Sequence, residues 1–154
     1  MKALAIALLS TVLFLGCKSD PEKDSGGDAY RNEAQPVALD EWTTDDIARK
    51  TGDTTDWKAV DLADAGQLTV QLAADEADAE VAVAVFSRYG EPLGEVTRKK
   101  GEGRTKLTVP IARSGRHFLR IRQLSGPATA YTLRASLGVA DDGPAPGRSD
   151  RPDF

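Results

Sequence analysis

The chain has little of what most catalytic and metal sites need: its 154 residues include one cysteine, Cys17, and one histidine, His117. A lone cysteine excludes an internal disulfide, and the two residues together are too few for a structural zinc site or a Cys–His protease pair built from two separate motifs. Aromatic residues are scarce at 6%, and the formal net charge of −4 argues against a general nucleic-acid binder. The hydrophobic share of 40%, with 14 glycines besides, is nevertheless that of a globular protein.

A long membrane-spanning run is also missing. The apolar segment Ala3–Leu15 has 13 residues, too few to cross about 30 Å of hydrocarbon. It follows Lys2 at the N-terminus, which is the pattern of a secretory signal peptide.

The end of this run, Leu15-Gly16-Cys17, resembles the lipobox of bacterial lipoproteins. Gly16 and Cys17 match the pattern, whereas Phe14 and Leu15 depart from the usual leucine and small residue. The resemblance implies cleavage before Cys17, diacylglycerol on its thiol and, usually, an acylated (palmitate-type) amino terminus. Two or three acyl chains anchor a protein stably where a single chain is marginal. A plain signal peptide followed by a chance cysteine is the alternative.

Composition divides the rest of the chain into three parts. Residues 17–38 are rich in Ser, Asp, Glu, Gly and Pro without apolar periodicity, which predicts a disordered, flexible tether. Residues 139–154 have similar content and predict a disordered tail. Residues 39–138 carry turn signals at nearly regular spacing and predict the single folded domain, preceded by the signal peptide at 1–16.

Between the turns, short segments alternate apolar and polar residues. This period of two at intervals of 8–12 residues predicts an all-β protein, an antiparallel sandwich of about seven to eight strands. Glu80–Phe86 is apolar on both faces and predicts a central strand, and Thr43–Lys50 fits either a short capped helix or a leading strand. A helix over Leu62–Val85 is disfavoured by Gly66 and by the alternation that follows it. The expected inward positions include Val83, Leu119 and Leu133.

The order of these segments resembles the bacterial pre-peptidase C-terminal domain family over about 85 residues, from Gly52 to Ser136. The residues that match the family's pattern are Asp56, Trp57, Gly115, His117, Phe118, Tyr131 and Leu133. The sequence departs from it at Lys58, where a second aromatic residue is common, at Val60, where Phe is usual, and at the displaced Asp53. The resemblance implies a non-catalytic, jelly-roll-like sandwich of the kind found beside secreted proteases or alone on cell surfaces. Some relatives bind calcium or extracellular polymers.

Candidate chemistry in the sequence is sparse. His117 has no Gly-x-Ser-x-Gly nucleophile motif to serve, and its alternation with Leu119 predicts a structural, inward side chain. Aspartates cluster at strand ends, where capping of turns is their common role. If calcium binds, Asp53, Asp56 and Asp78 are the first candidates, but the EF-hand pattern is absent. We therefore expect no enzyme activity, no cofactor and no dedicated metal site.

Charge is distributed unevenly along the chain. Residues 18–80 carry 17 acidic and 6 basic side chains, and residues 81–138 carry 3 acidic and 11 basic ones. Five basic residues of the second half share an outward parity and form the candidate binding face: Arg104, Lys106, Arg120, Arg122 and Arg134. If their strands are neighbours, the charges meet on one surface, and the acidic loop Asp75–Glu80 is a candidate internal counter-charge. A merely solvated surface is the alternative.

The sequence thus predicts a non-enzymatic cell-envelope lipoprotein that presents a β-sandwich interaction module. The candidate ligands are an anionic polysaccharide or an envelope protein, and the membrane is contacted through the lipid anchor. The alternative function is an accessory or inhibitory factor of a secreted protease. Lys18 after the cysteine favours the outer membrane under sorting rules known for some diderm bacteria, with the side of that membrane left open.

Overall fold

The computed structural model describes residues 25–138, which form two β-sheets packed face to face. The predicted signal peptide, Cys17 and the predicted tail at 139–154 lie outside the described residues. The strands are β1 (Gln35–Pro36), β2 (Trp42–Ile47), β3 (Thr55–Leu62), β4 (Gly66–Ala74), β5 (Glu80–Phe86), β6 (Pro92–Arg98), β7 (Arg104–Ile111), β8 (Gly115–Ser125) and β9 (Thr129–Gly138). Within residues 25–138 the structure contains no helix long and apolar enough to cross a membrane.

One sheet has the order β1-β3-β8-β5-β6 and the other the order β2-β9-β4-β7. All pairings are antiparallel except the short parallel pair of β1 with β3. The all-β sandwich predicted from alternation is therefore confirmed. Strand β5 lies between β8 and β6, as its two apolar faces predicted.

The core fills the space between the sheets with the inward residues of the alternating strands. Strand β4 shows the pattern most clearly, because every second residue from Gly66 to Ala74 is buried. Val83 and Leu119 are fully buried, and Leu133 is 1% exposed. Thr69 points outward instead, where its hydroxyl lies 3.1 Å from that of Thr108. The predicted strand faces are thus correct at these positions.

The segment at the start of the domain is an edge strand rather than a helix. For Thr43–Lys50, the sequence allowed either a short helix or a leading strand, and the strand is confirmed. β2 extends to Ile47 and is followed by a 3-10 turn at Arg49–Thr51. β2 pairs only with β9, and its exposed outer residues include Trp42 and Thr44. A polar edge strand is a common way to discourage pairing with other chains.

The predicted domain boundary at residue 39 needs correction, because residues 25–38, assigned above to the tether, pack on the domain. Arg31–Glu33 form a 3-10 turn, and β1 adds to the outer edge of β3. The Trp57 amide donates to the Asp28 carbonyl at 2.8 Å, and the Asp28 side chain is 2% exposed. Backbone bonds and one buried charge hold this segment, so it needs no apolar periodicity.

Candidate functional site

The five predicted basic residues do not share one surface. Arg120 and Arg122 lie on β8, on the outer face of the five-stranded sheet. Arg104 and Lys106 on β7 and Arg134 on β9 lie on the outer face of the four-stranded sheet, at the opposite side of the sandwich. The outward parity was predicted correctly, but β8 does not neighbour β7 or β9, so the single basic face is wrong.

On the five-stranded sheet, Arg120 is occupied by its neighbours. Its guanidinium carbon lies 5.0 Å from the centre of the Phe86 ring and 5.8 Å from that of Trp57. Its Nη2 donates to Glu95 Oε2 at 3.3 Å. The two rings are half-buried and 5.2 Å apart, so Arg120 covers an aromatic pair. Arg120 thus packs over two rings that are themselves only partly accessible to a ligand.

On the four-stranded sheet, a row of side chains crosses all four strands. In register order it contains Trp42, Arg134, Gln71 and Lys106. Arg104 lies in the next row, and its guanidinium carbon stands 4.6 Å from the centre of the Trp42 ring. We call this surface the Trp42 face, defined by Trp42, Gln71, Arg104, Lys106 and Arg134.

The Trp42 face remains accessible. Trp42 is 43% exposed. Among the large hydrophobic residues of the described chain, only Tyr30 and Tyr89 are exposed as well. The Arg134 guanidinium carbon is 5.9 Å from the same ring, and its Nη2 donates to Asp40 Oδ1 at 3.4 Å. Arg104 makes one long hydrogen bond, 3.4 Å, to Gln71. Lys106 has no ion pair among residues 25–138.

The counter-charges differ from those expected. Asp40 forms an ion pair with Arg134, and Glu95 forms one with Arg120. Within the described chain, the loop Asp75–Glu80 forms no ion pair with either arginine. In that loop, Asp78 pairs with Lys100 at 3.0 Å, and both side chains are more than 60% exposed. The Arg98 side chain instead donates to three backbone carbonyls of the loop.

The acidic residues proposed for calcium are also separated. Asp53 and Asp56 are buried at the start of β3, whereas Asp78 is the exposed partner of Lys100. Asp56 instead meets Asp28 and Asp45, which the sequence did not single out, and one carboxylate oxygen of each lies within 4.8 Å of the others. The three aspartates named as the first candidates for calcium therefore do not form one site.

A lysine ammonium already occupies this acidic cluster. Lys58 is 1% exposed, and its Nζ donates to Asp28 Oδ2 at 2.6 Å, to Asp45 Oδ2 at 2.5 Å and to Gln35 Oε1 at 3.0 Å. These three bonds use all three donors of the ammonium. Burial would lower the pKa of Lys58, but the bonds to the two aspartates outweigh it and the pKa is raised. A metal ion here would have to displace a satisfied cation.

Beside this lysine, two carboxyl groups hold their protons unusually tightly. Burial raises the pKa of Asp56 to about 8 and that of Asp53 to about 6, and the nearby Asp28 charge adds to both. The Tyr131 hydroxyl donates to Asp56 Oδ2 at 2.6 Å, which opposes the shift without cancelling it. Asp53 Oδ1 and Asp56 Oδ1 are buried and accept no hydrogen bond within the described chain, so a charge on either carboxylate would be poorly stabilised. Burial, rather than the neighbouring lysine, therefore dominates the pKa of these two carboxyl groups.

Two residues of these sites were missed by the sequence reasoning. Trp42 sits beside a polar run that fits a helix cap, and only its alternation with Thr44 marks it as an outward strand residue. Lys58 shares the inward parity of Asp56 and Val60, and that parity was the available signal of a buried charge. Its partners Asp28 and Gln35 lie in the segment taken for a tether.

Comparison with known proteins supports the fold. The chain is similar to the pre-peptidase C-terminal domain of a collagenase from Bacillus anthracis, with 12% identity, 67% of this chain and 94% of that one covered, and a TM-score of 0.54. It is also similar to CorA, a surface-associated copper-binding protein of Methylomicrobium album BG8, with 7% identity, 68% and 98% coverage, and a TM-score of 0.55. No protein-family profile and no curated protein sequence matches the chain. These similarities support the β-sandwich fold, which resembles that of a pre-peptidase C-terminal domain.

Proposed function

We propose that this protein is a non-enzymatic binding module of the cell envelope that holds an anionic polysaccharide on its Trp42 face. The observation that carries the proposal is the exposed Trp42 ring, with the Arg104 guanidinium 4.6 Å and the Arg134 guanidinium 5.9 Å from its centre. An aromatic ring offers an apolar surface to the C–H face of a sugar, and arginine donates paired hydrogen bonds to carboxylate or sulfate groups.

The surroundings of the ring suit an extended chain rather than a compact substrate. The Trp42 face is the outer surface of a sheet, and the residues beside it on β4 and β7 include the outward Thr69 and Thr108. Their hydroxyl groups both donate and accept hydrogen bonds, as sugar hydroxyls require. Lys106 extends the positive charge to the far strand of the row. An open, mixed polar and aromatic surface of this kind serves binding better than catalysis, which needs an enclosed site.

The anchor belongs to the same proposal. Acylation of Cys17 would hold the protein in a membrane, with the outer membrane favoured by Lys18. The described domain already begins at Ser25. The spacer between Cys17 and the domain is therefore shorter than the sequence predicted. The Trp42 face would then bind polymer close to the membrane surface.

The test is calorimetric titration of the protein with polygalacturonate and with uncharged dextran of similar length. We expect binding to polygalacturonate, and a loss of tenfold or more in Trp42→Ala. The matched control is Tyr30→Ala, which removes another exposed ring, 51% exposed, from outside the Trp42 face. Equal affinity of the Trp42→Ala and Tyr30→Ala variants would reject the site.

The same preparation addresses the alternative function. An accessory or inhibitory factor of a secreted protease should retain a protease from the proteins of the envelope. Absence of polysaccharide binding together with specific capture and inhibition of a protease would favour that alternative.

A further inference from the structure

A cavity of about 230 Å³ opens at the other end of β7 from Arg104. It lies where the edge strands β6 and β7 of the two sheets meet, between the β5–β6 turn and the β7–β8 turn. Its lining includes Arg88, Tyr89, Glu91, Arg113, Ser114 and His117. We call this cavity the Arg113 pocket.

The arginines that line the pocket have no acidic partner within the described chain. Neither Arg88 nor Arg113 forms an ion pair within the described chain. The lining contains one acid, Glu91, whose Oε2 accepts from the Ser87 hydroxyl at 3.4 Å and reaches neither arginine. Arg116, three residues after Arg113, differs from these two arginines. Its guanidinium donates to both carboxylate oxygens of Asp61, at 3.0 and 2.9 Å. Two exposed arginine residues that line one cavity therefore have no acidic partner within the described chain.

One side of the cavity is ordered by hydrogen bonds within the chain. The Ser87 hydroxyl accepts from the Tyr89 and Glu91 amides at 3.3 and 3.2 Å, which fixes the turn that carries Arg88. The Arg88 guanidinium carbon lies 5.2 Å from the centre of the Tyr89 ring. His117 is 5% exposed, and its Nδ1 lies 3.1 Å from the Gly115 carbonyl, which leaves Nε2 as the ring atom without a protein partner. These contacts order the turn that carries Arg88, and an ordered turn loses little conformational entropy when a ligand binds.

We propose that the Arg113 pocket is a second binding site, which takes a single oxyanion group: a carboxylate, a sulfate or a phosphate. Arg88 and Arg113 supply the charge and the paired donors that such groups accept, and the Ser114 hydroxyl adds a neutral donor. The volume is smaller than that of pockets for drug-sized ligands, so it suits one charged group rather than an oligosaccharide. The exposed Tyr89 ring at the rim provides a surface for whatever carries that group.

The test uses the full-length protein in non-ionic detergent, titrated separately with sodium sulfate, inorganic phosphate and monomeric galacturonate at constant ionic strength. The readout is the NMR signal of the arginine side-chain N–H groups, together with the dissociation constant. We expect at least one of the three probes to saturate at millimolar concentration and to shift the Arg88 and Arg113 signals. Binding of galacturonate but not of the inorganic ions identifies a carboxylate site, and the reverse identifies a sulfate or phosphate site.

Arg113→Gln should weaken this binding about tenfold or more, the factor typical of losing a charge-assisted hydrogen bond. The matched control is Arg116→Gln, an exposed arginine at the same end that is already paired with Asp61. Trp42→Ala should keep oxyanion binding, so failure of the Trp42 face and failure of the pocket are distinguishable. No saturable shift with any probe, or equal weakening in the Arg113→Gln and Arg116→Gln variants, would overturn the proposal.

Discussion

The Lys58 ammonium lies 2.6 Å from the Asp28 carboxylate, with both side chains at most 2% exposed, and this pair ties the beginning of the folded chain to β3. Removing water from two charges costs free energy that their attraction must repay. Here Asp45 and Gln35 complete the coordination of the ammonium, so no donor is left unused. The pair explains why residues that look like a spacer belong to the domain.

Replacing Asp28 should therefore destabilise the whole domain. Asp28→Ala leaves a buried lysine with fewer partners, and breaking a buried ion pair on one side typically costs about 3–5 kcal/mol. Urea unfolding followed by tryptophan fluorescence measures the change. Asp61→Ala is the control, since it breaks an exposed ion pair with Arg116 and should change stability little. If both variants unfold at the same urea concentration, the buried pair does not support the fold.

The raised pKa of Asp56 makes stability depend on pH in a defined direction. A carboxyl whose pKa rises from 3.8 to about 8 on folding binds its proton more tightly in the folded chain than in the unfolded one. Its contribution is therefore fully present below the unfolded pKa and is lost as the pH rises through the folded value. Asp56→Asn keeps an oxygen for the Tyr131 hydroxyl and cannot ionise.

We expect the melting temperature of Asp56→Asn, relative to that of the unmodified protein, to rise steadily between pH 5 and pH 8. Thermal melts at constant ionic strength at four pH values test this. Asp46→Asn is a suitable control, because Asp46 is exposed on the same edge of the sandwich. A difference that stays constant with pH, or falls, would show that Asp56 is not protonated in the folded protein.

Inward and outward strand positions should differ in their effect on stability. Leu119→Ala and Leu133→Ala remove fully or almost fully buried side chains, and such changes typically cost about 2–5 kcal/mol, with somewhat less for Val83→Ala. Thr69→Ala removes an outward hydroxyl and should cost much less. Denaturant unfolding of the four variants provides the comparison. Similar losses at Thr69 and Leu119 would contradict the assignment of the strand faces.

The lipid anchor is tested separately from the fold. Cys17→Ala should abolish incorporation of labelled fatty acid and leave an uncleaved or detergent-independent product, because the proposed anchor uses the Cys17 thiol as the acceptor of the lipid. Metabolic labelling followed by phase separation in detergent measures both effects. Label retained by the Cys17→Ala variant would contradict the anchor.

The sequence contained enough information to predict the sandwich but not to assemble its surfaces. Alternation is a local signal, so Val83, Leu119 and Leu133 were placed inward correctly. Which strands become neighbours depends on contacts distant in sequence, and for that reason Arg120 and Arg134 were placed on one face although they lie on opposite sheets.

The beginning of the domain was missed for a related reason. One buried ion pair and a few backbone hydrogen bonds hold residues 25–38, and neither leaves a periodic pattern in the sequence. Trp42 was missed because its strand is polar and lies at an edge, where hydrophobic patterning is weakest. Composition and periodicity do not predict polar contacts between residues that are far apart in the sequence.

The most direct test of the Trp42 face compares two double variants that remove equal charge from the two outer faces. One is Arg104→Gln with Arg134→Gln on the four-stranded sheet, and the other is Arg120→Gln with Arg122→Gln on the five-stranded sheet. The measurement is the dissociation constant for polygalacturonate at about 50 mM and about 200 mM salt, a range over which exposed charges become strongly screened. We predict that the Arg104/Arg134 variant loses most of the affinity and of its salt dependence, while the Arg120/Arg122 variant keeps both. Equal affinities of the two variants, or a greater loss in the Arg120/Arg122 variant, would contradict the account.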